Sequence, residues 1–289
     1  MIKKILLILF ILASAAGAYL YVTFPDISKL RDRSYSFTIS VKDWNGKEHS
    51  FIVGPKNPNW VFIHRIPKSL IGAVVVSEDS LFFRHKGLDY KAMKEALKKD
   101  IEEGKFARGG STITQQTAKN LYLTREKTIS RKMKEIFIAK ALERKLSKRR
   151  ILELYLNVVE QGPMIYGVGA SSRFYFGKNV SELNPAETAF LASMLPGPKV
   201  YNPYKNLSKV LRRSKIILKR MARGGFISAS DYEAYSAFDI NVKGIENKIE
   251  SASGLKIEEL PDSSEVEIDE SEEKEKLDKN LFDETKPVN

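Results

Sequence analysis

The apolar positions of the chain fall into one long run, one alternating stretch and a series of helical repeats. Residues 5–24 carry no charge, and a helix of that length is about 30 Å long, enough to span the hydrocarbon core of a bilayer. Residues 34–53 alternate apolar and polar positions around Asn45-Gly46, a pair typical of a type I′ turn, which predicts a β-hairpin. Strand signals are scarce after residue 65, so we expect the main domain to be mainly α.

Beyond Pro67 the apolar spacing changes to the helical period, and capping residues mark where helices begin. Asn184 opens a capping box with Glu187, and Pro185 takes the first helical position. Five helices are expected on this basis: from Asp89 to about Glu103, from near Ser130, after Ser147, from Asn184 to Pro196-Gly197, and over roughly 207–221.

The apolar run near the N-terminus has two interpretations. Lys3 and Lys4 precede it, which favours an uncleaved transmembrane anchor over residues 1–25 with its N-terminus in the cytoplasm. The alternative is a cleaved signal peptide, because Ala13-Ser-Ala15 and Ala16-Gly-Ala18 resemble small-residue cleavage sites. In either case the rest of the chain is exported.

Charge is distributed unevenly along the chain. The formal net charge is +12, yet residues 241–289 hold 7 Lys against 15 Asp and Glu, which leaves a net of +20 on residues 1–240. A body this basic predicts an anionic partner: nucleic acid, phosphate or a membrane surface. After the anchor we expect three regions: a linker and β-hairpin at 26–60, a helical domain at 61–240, and an acidic, disordered tail at 241–289.

The first stretch with candidate chemistry is Val76-Ser-Glu78-Asp79, where an apolar run ends in two adjacent carboxylates. A carboxyl group at the end of a buried segment can have a raised pKa, as general acid–base catalysis near neutral pH requires. The alternative is a helix C-terminus that simply reaches solvent.

The second stretch is Arg108-Gly-Gly-Ser-Thr-Ile-Thr-Gln-Gln116, followed by Lys119. Its glycines let a ligand approach the backbone closely, and its Ser and Thr can cap the following helix. A helix N-terminus beside Arg108 suits a phosphate group. The Gly-Lys-Ser/Thr core of a Walker A loop is missing, and a capped loop without a ligand is the alternative.

The third stretch is residues 127–150, with 10 Lys and Arg and only two Glu. Arg131 and Glu135 are four residues apart on one helix, the spacing of an ion pair that is most often exposed. We place this pair on the side of the helix away from its core-facing stripe. That stripe is expected to consist of Met133, Ile136 and Phe137, and Ala141 is a further apolar position of the same helix.

Glu153 lies within an apolar segment, and a carboxylate there needs a partner to compensate its charge. Arg149 and Lys148 are the candidates.

Several other kinds of catalytic or metal site are excluded by the sequence. The chain contains no cysteine, and its three histidines lie in unrelated local patterns, which argues against metal clusters of Cys or His. Gly-x-Ser-x-Gly and His-Glu-x-x-His are absent, and Ser-x-x-Lys occurs only in the tail.

In this order the stretches resemble the motifs of the family 51 peptidoglycan glycosyltransferases. The matching residues are 78–89 for the first motif, 109–116 with Lys119-Asn120 for the second, Arg131 to Glu135 for the third, 148–157 for the fourth, and Arg212-Arg213 to Met221 for the weaker fifth. The resemblance covers about residues 60–225. An anchor with no transpeptidase domain behind it is similar to the monofunctional members.

The resemblance implies a lysozyme-like helical domain that polymerises lipid II into glycan strands, inverting C1 of MurNAc and releasing polyprenyl diphosphate. It implies that Glu78 is the general base for the GlcNAc 4-hydroxyl, and that Glu135 is a second catalytic residue beside the diphosphate. A divalent cation, Mg²⁺ or Mn²⁺, at Glu135 is also implied, and no organic cofactor. Substrate contacts are implied for a wider set of residues: Asp79, Arg108, Gly110, Ser111, Thr112, Gln115, Gln116, Lys119, Lys127, Arg131, Lys132, Glu153 and Asn157.

The same resemblance implies a single-pass protein of the cytoplasmic (inner) membrane with its catalytic domain on the extracytoplasmic side. Its expected partners are lipid II, the growing glycan strand, the membrane and the cell-wall synthesis machinery, but not nucleic acid. Two other functions remain open. One is a peptidoglycan-cleaving muramidase or lytic transglycosylase, which also depends on a key Glu. The other is a non-enzymatic, membrane-anchored protein that binds anions.

Overall fold

The computed structural model describes residues 24–43, 45–103, 110–124, 126, 128–197 and 200–245, and the single positions 3, 4, 7 and 10. The folded body lies within residues 1–240. Among the helices of these described residues, none combines the length and the apolar character needed to cross a membrane. Most of the segment predicted as an anchor, and most of the acidic tail, fall outside the described residues.

The predicted β-hairpin is present and precedes the helical part of the body. Its strands are β1 (Phe37–Lys42) and β2 (Glu48–Val53), which pair antiparallel. Exposure alternates along β1 and over most of β2, as expected for a ribbon with one face on the protein. The register runs from Phe37 opposite Val53 to Lys42 opposite Glu48.

The predicted type I′ turn is wrong. That turn has two residues between paired positions. Here Lys42 is opposite Glu48, and the Asp43 backbone N–H donates to the Lys47 carbonyl at 2.9 Å, a register that leaves an odd number of residues in the loop. The Asp43 carboxylate accepts hydrogen bonds from the backbone N–H groups of Asn45 and Lys47, both at 2.9 Å. This side chain stabilises a longer loop in place of the two-residue turn.

Helices make up most of the body, which confirms the mainly α fold with one small hairpin. The described residues contain nine α-helices: α1 (Lys68–Glu78), α2 (Tyr90–Glu103), α3 (Ile113–Tyr122), α4 (Ile129–Lys145), α5 (Lys148–Val158), α6 (Val168–Phe176), α7 (Pro185–Ser193), α8 (Leu207–Arg223) and α9 (Ala229–Ser236). Short 3-10 turns lie at Ser28–Arg31, Ile63–Arg65 and Val180–Glu182. Helix α6 was not among the expected helices, and Gly167 before it has no side chain to cap its N-terminus.

The helices pack in two groups. In the first, α7 is buried along nearly its whole length and packs against α1 and α8, with α9 against α7 and α8. In the second, α5 is buried throughout and packs against α3 and α4. Helix α6 contacts both α5 and α7 and so joins the two groups. The first candidate motif ends α1 and the second begins α3, so the motifs come from different groups.

The core-facing stripe predicted for α4 is wrong. Met133 is 47% exposed and Phe137 is 42% exposed, whereas Glu135 is only 2% exposed. The inward face is completed by four apolar residues: Ile138, Ala139, Ala141 and Leu142. The helix is apolar on more than one side, and the cations that surround the Glu135 carboxylate allow the side bearing this charge to turn inward.

Glu153 on α5 is completely buried, and its partners differ from those predicted. Arg150, one turn earlier on the same helix, forms the ion pair with it, and the backbone N–H of Ile63 donates to its other oxygen at 3.0 Å. Arg149 is exposed, and Lys148 pairs with a residue of α4 instead. Arg150 lies three residues before Glu153 and on the same buried face of α5, which explains why it is the partner.

The same helix fixes the segment that leads into α1. The Asn157 side chain accepts from the backbone N–H of Val61 at 2.7 Å and donates to the Val61 carbonyl at 2.8 Å. Arg150 also donates from Nε to the Leu30 carbonyl at 2.9 Å. Because backbone from two parts of the chain, near Leu30 and over residues 61–63, is bound to α5, this helix sets where α1 begins.

Replacing Arg150 by Leu should strongly destabilise the fold. The change leaves the Glu153 carboxylate buried without its cation, which costs about 3–5 kcal/mol of the free energy of unfolding. Urea unfolding followed by circular dichroism measures the loss. The control Lys42→Leu removes a cation from the exposed pair with Glu48 and should change the same quantity by less than about 1 kcal/mol. Equal losses in the two variants would contradict the prediction.

Candidate active site

Glu78 is the last residue of α1, at the end of a run of buried residues. Its Oε2 accepts a hydrogen bond from Nε2 of Gln116 on α3 at 3.0 Å. Burial raises the pKa of the Glu78 carboxyl to about 6, and Asp79 adds to the rise, while Gln116, Arg213 and Lys119 oppose it. A carboxyl with this pKa is largely ionised at pH 7 and still basic enough to take a proton, as a general base requires.

Asp79 follows α1 directly, and its carboxylate is bound within the protein. It accepts from Nε2 of His85 at 2.9 Å and from the backbone N–H of Ile113, the first residue of α3, also at 2.9 Å. The Gly87 backbone N–H donates to Nδ1 of His85 at 3.1 Å, which assigns the ring proton to Nε2. Asp79 was expected to bind substrate, and here it joins α1 to the N-terminus of α3.

The residues around the start of α3 divide into two sets according to what their side chains contact. Thr112 caps the helix and forms a capping box with Gln115, and its hydroxyl donates to the Gly87 carbonyl at 2.7 Å. Both side chains are buried, and their hydrogen bonds fix where α3 begins. Gly110 lies so close to α2 that an added Cβ would be 3.0 Å from Cβ of Ala96.

The second set belongs to the polar surroundings of Glu135 on α4. Ser111 accepts a hydrogen bond from Lys132 Nζ at 3.0 Å. Lys132 also binds one oxygen of Glu135, and Arg131 NH1 binds the other at 2.8 Å. Desolvation lowers the pKa of the nearby Lys119 ammonium, an effect that the Glu135 carboxylate opposes and the charges of Arg131 and Lys132 strengthen.

We call Lys119, Arg131 and Lys132 the cation cluster. Its three positive charges surround the single carboxylate of Glu135, so the cluster carries an excess of positive charge when all three are protonated. Such an excess suits an anionic ligand with several oxygens, such as a diphosphate. Lys119 also acts electrostatically on Glu78, and it therefore links the carboxyl with the raised pKa to the cluster.

The expected site residues are only partly brought together. Glu78, Ser111, Gln116, Glu135 and the cation cluster lie in one region, around the ends of α1, α3 and α4. Glu153 and Asn157 instead bind the backbone before α1. Arg108 and Lys127 lie outside the described residues.

Three residues near Glu78 were not predicted as site residues. Arg213 on α8 acts on the Glu78 charge and stacks on Tyr201, with 5.3 Å from its guanidinium to the ring centroid. His85 binds Asp79, and Tyr155 binds Gln116. All three lie within stretches that resembled family motifs, namely 78–89, 148–157 and 212–221, and this was the available signal.

Glu135 was also expected to hold a divalent cation, and its surroundings do not fit one. Both carboxylate oxygens accept hydrogen bonds from cations, whereas Mg²⁺ and Mn²⁺ need free oxygen ligands. Among the described residues, no group of three or more His, Cys, Asp or Glu could hold a metal ion.

A carboxyl group with a raised pKa and a cluster of cations lie together in this helical fold, an arrangement suited to proton transfer next to an anionic group. The chain belongs to the transglycosylase family, whose profile matches residues 45–222. The family expected from the motifs is thereby confirmed.

Three relatives illustrate the match. The biosynthetic peptidoglycan transglycosylases of Nitrosomonas eutropha and Nitrosomonas europaea are 46% and 42% identical to this chain, over 56% and 65% of it and 66% and 79% of their own length. Penicillin-binding protein 1A of Aquifex aeolicus is 40% identical over 79% of this chain and 31% of its own. The chain thus spans just under two thirds of the first relative and less than a third of the last.

Among solved structures, penicillin-binding protein 1A from Haemophilus influenzae aligns with 77% of this chain and 25% of its own, with 21% identity and a TM-score of 0.39.

The cation cluster should bind inorganic diphosphate. Lys132→Met removes one charged donor and should weaken the binding about tenfold, the cost of about one charge-assisted hydrogen bond. Isothermal titration calorimetry of the full chain in detergent measures the Kd. The control Lys140→Met removes an exposed cation from the same helix and should leave the Kd nearly unchanged. An equal effect of both variants on the Kd would mean that diphosphate binding depends on the net charge of the protein and not on the cation cluster.

Proposed function

We propose that this protein is a peptidoglycan glycosyltransferase that polymerises lipid II into glycan strands. The observation that carries the proposal is the Glu78 carboxyl, which has a pKa of about 6, accepts a hydrogen bond from Gln116 and lies in the same region as the cation cluster. These features support the role of Glu78 as a general base. Lipid II offers both groups that such a site needs, a sugar hydroxyl to deprotonate and a diphosphate to bind. Membership of the transglycosylase family supports the same substrate.

In the proposed reaction Glu78 takes the proton from the 4-hydroxyl of the GlcNAc of one lipid-linked unit. That oxygen attacks C1 of the MurNAc at the end of the growing chain, and the bond from C1 to the diphosphate oxygen breaks. Polyprenyl diphosphate leaves and C1 is inverted. The raised pKa of Glu78 favours the proton transfer, because a stronger base takes the hydroxyl proton at a lower free-energy cost.

The cation cluster would stabilise the leaving group. Negative charge on the diphosphate increases as the bond to C1 breaks, and cations already held in position stabilise that charge without reorganising. Arg131 and Lys132 are held by Glu135, and Lys132 is held further by Ser111. Glu135 would therefore act by holding these two cations in place rather than by transferring a proton.

We further propose that residues 1–25 anchor the protein in the cytoplasmic membrane, with the folded body on the extracytoplasmic side. The supporting features are the uncharged run of 20 residues after Lys3 and Lys4 and the lipid-linked nature of the proposed substrate. The basic body would also be attracted to an anionic membrane surface. The cell-wall synthesis machinery is the proposed protein partner.

A lytic transglycosylase or muramidase would also use one key Glu, but cleavage of polymeric glycan needs no diphosphate site. Purified protein incubated separately with lipid II and with polymeric glycan distinguishes these activities. Chain growth supports synthesis, and breakdown of glycan supports cleavage. Neither product, together with salt-sensitive anion binding, would favour the non-enzymatic alternative.

Glu78→Gln should reduce lipid II polymerisation about 100-fold to 10,000-fold, the usual contribution of a general base. The variant should be at least as thermally stable as the original chain, because Gln removes a charge whose burial is unfavourable. A gel assay of glycan strands and a thermal melt measure the two effects. The control Glu182→Gln, in an exposed capping box, should keep full activity. Normal polymerisation by Glu78→Gln would refute the assignment of the base.

The rate should also depend on pH through Glu78. Its pKa is raised from 4.5 to about 6, and only the ionised form accepts a proton. The kcat/KM for lipid II should therefore rise with pH through about 6 and fall to about a tenth of its plateau at about pH 5. A profile that stays flat down to about pH 4.5 would mean that Glu78 has an ordinary pKa or is not the base.

A further inference from the structure

Three side chains from three helices form a series of hydrogen bonds that ends at Glu78. The hydroxyl of Tyr155 on α5 donates to Oε1 of Gln116 on α3 at 3.3 Å, and Nε2 of Gln116 donates to Oε2 of Glu78 at 3.0 Å. Tyr155 is fully buried. The phenol therefore needs an acceptor inside the protein, and the carbonyl oxygen of Gln116 supplies it.

The two ends of a glutamine amide have nearly the same shape but opposite hydrogen-bonding roles. If the amide of Gln116 turned over, its oxygen would face the Glu78 carboxylate, which would then be favoured in its protonated form. The neighbour on the other side of the amide decides between the two orientations. Here that neighbour is a phenol, which can bind a carbonyl oxygen by donating its proton.

The Tyr155 phenol remains a donor at every pH at which the enzyme would work. Burial raises the pKa of its hydroxyl well above 10, and the negative charges of Glu78 and Asp79 add to the rise. A neutral phenol next to Gln116 thus keeps the carbonyl oxygen turned toward α5 and the NH₂ group turned toward α1.

We propose that Tyr155 is a positioning residue that fixes the orientation of the Gln116 amide, so that its NH₂ group binds Oε2 of Glu78 and holds this carboxylate ready to accept the substrate proton. The proposal rests on the proposed role of Glu78 as general base. Tyr155 itself would touch neither sugar nor diphosphate.

Other charges also face Glu78, and the test must leave them unchanged. Arg213 approaches from α8, Lys119 from α3, and Asp79 is adjacent in the chain. Tyr155→Phe alters none of these groups and keeps the buried ring. A change in the titration of Glu78 in this variant would therefore report the orientation of the Gln116 amide.

The experiment follows the Glu78 carboxyl directly in the full chain in detergent. Protein labelled with ¹³C at the Glu carboxyl carbons is titrated by NMR, and the Glu78 signal is assigned as the one missing from Glu78→Gln. In Tyr155→Phe the titration midpoint of Glu78 should move up by about one pH unit, as expected for the loss of a hydrogen bond to its charged form. The acid limb of lipid II polymerisation should move by the same amount, so that the rate falls several-fold at pH 6 and recovers at pH 8.

The matched control is Tyr175→Phe, which removes an equally buried phenol hydroxyl whose hydrogen bond, to the Gln161 carbonyl at 2.7 Å, lies elsewhere. It should leave the midpoint of Glu78 and the pH profile unchanged. In a Gln116→Met background, which has no amide to orient, Tyr155→Phe should cause no additional shift.

An unshifted midpoint in Tyr155→Phe would overturn the proposal, and so would a full shift that persists in the Gln116→Met background. A rate that falls equally at every pH would also overturn it, because that pattern indicates general loss of structure. Failure of the proposed function is distinguishable: lipid II would not be polymerised by the original chain, or Glu78→Gln would be fully active, while the NMR titration would still report on Tyr155.

Discussion

The hydrogen bond between the Asp79 carboxylate and the backbone N–H of Ile113 is the interaction on which the candidate site depends. It joins the end of α1 to the start of α3, two helices that belong to different packing groups. Glu78 precedes this junction, and Gln116 follows it by one helical turn, so the distance between them is set there. An acidic side chain is favourable at a helix N-terminus, where it binds unpaired N–H groups and interacts with the helix dipole. The His85 ring donates a further hydrogen bond to the buried Asp79 carboxylate.

Buried carboxylates recur throughout the body, and each contributes to the architecture through its partner. Glu153 is compensated by Arg150 and connects α5 to the segment before α1, while Glu135 is compensated by Arg131 and Lys132. Glu78 differs from these acids, because the hydrogen bond described for it comes from a neutral amide. Its pKa is raised for that reason: burial acts on it without the full compensation of an ion pair. The same physical cost that the other acids avoid gives Glu78 the basicity of a catalytic group.

Features of the fold that depend on neighbouring residues were predictable from the sequence, and features that depend on contacts between distant segments were not. The caps at Ser147 and Asn184 and the hairpin strands depend on neighbouring residues, and all of them are present. The inward face of α4 could not be deduced, because burying Glu135 becomes favourable only once cations surround it. The loop of the hairpin was missed for a related reason, since the carboxylate of Asp43 outweighs the preference of the Asn-Gly pair.

The motifs located the candidate site, but their spacing did not separate residues that act on a substrate from those that support them. Asp79 and Gln115 lie within the same motifs as Glu78 and Gln116, yet their side chains are buried in internal contacts. Sequence patterns record that a residue type is needed at a position. Only the fold shows whether its polar atoms are already bound to protein or remain available to a ligand.

Lys119 gives the proposed site a further property, because it acts electrostatically on Glu78 and also belongs to the cation cluster. In the free protein its positive charge, together with that of Arg213, opposes the rise that burial causes in the pKa of Glu78. A bound diphosphate would offset the charge of Lys119, and the pKa of Glu78 would then rise. The base would therefore be strongest when the leaving group is in place, and by linkage a protonated Glu78 would favour diphosphate binding. Proton transfer to Glu78 and stabilisation of the leaving group would thus reinforce each other through one lysine.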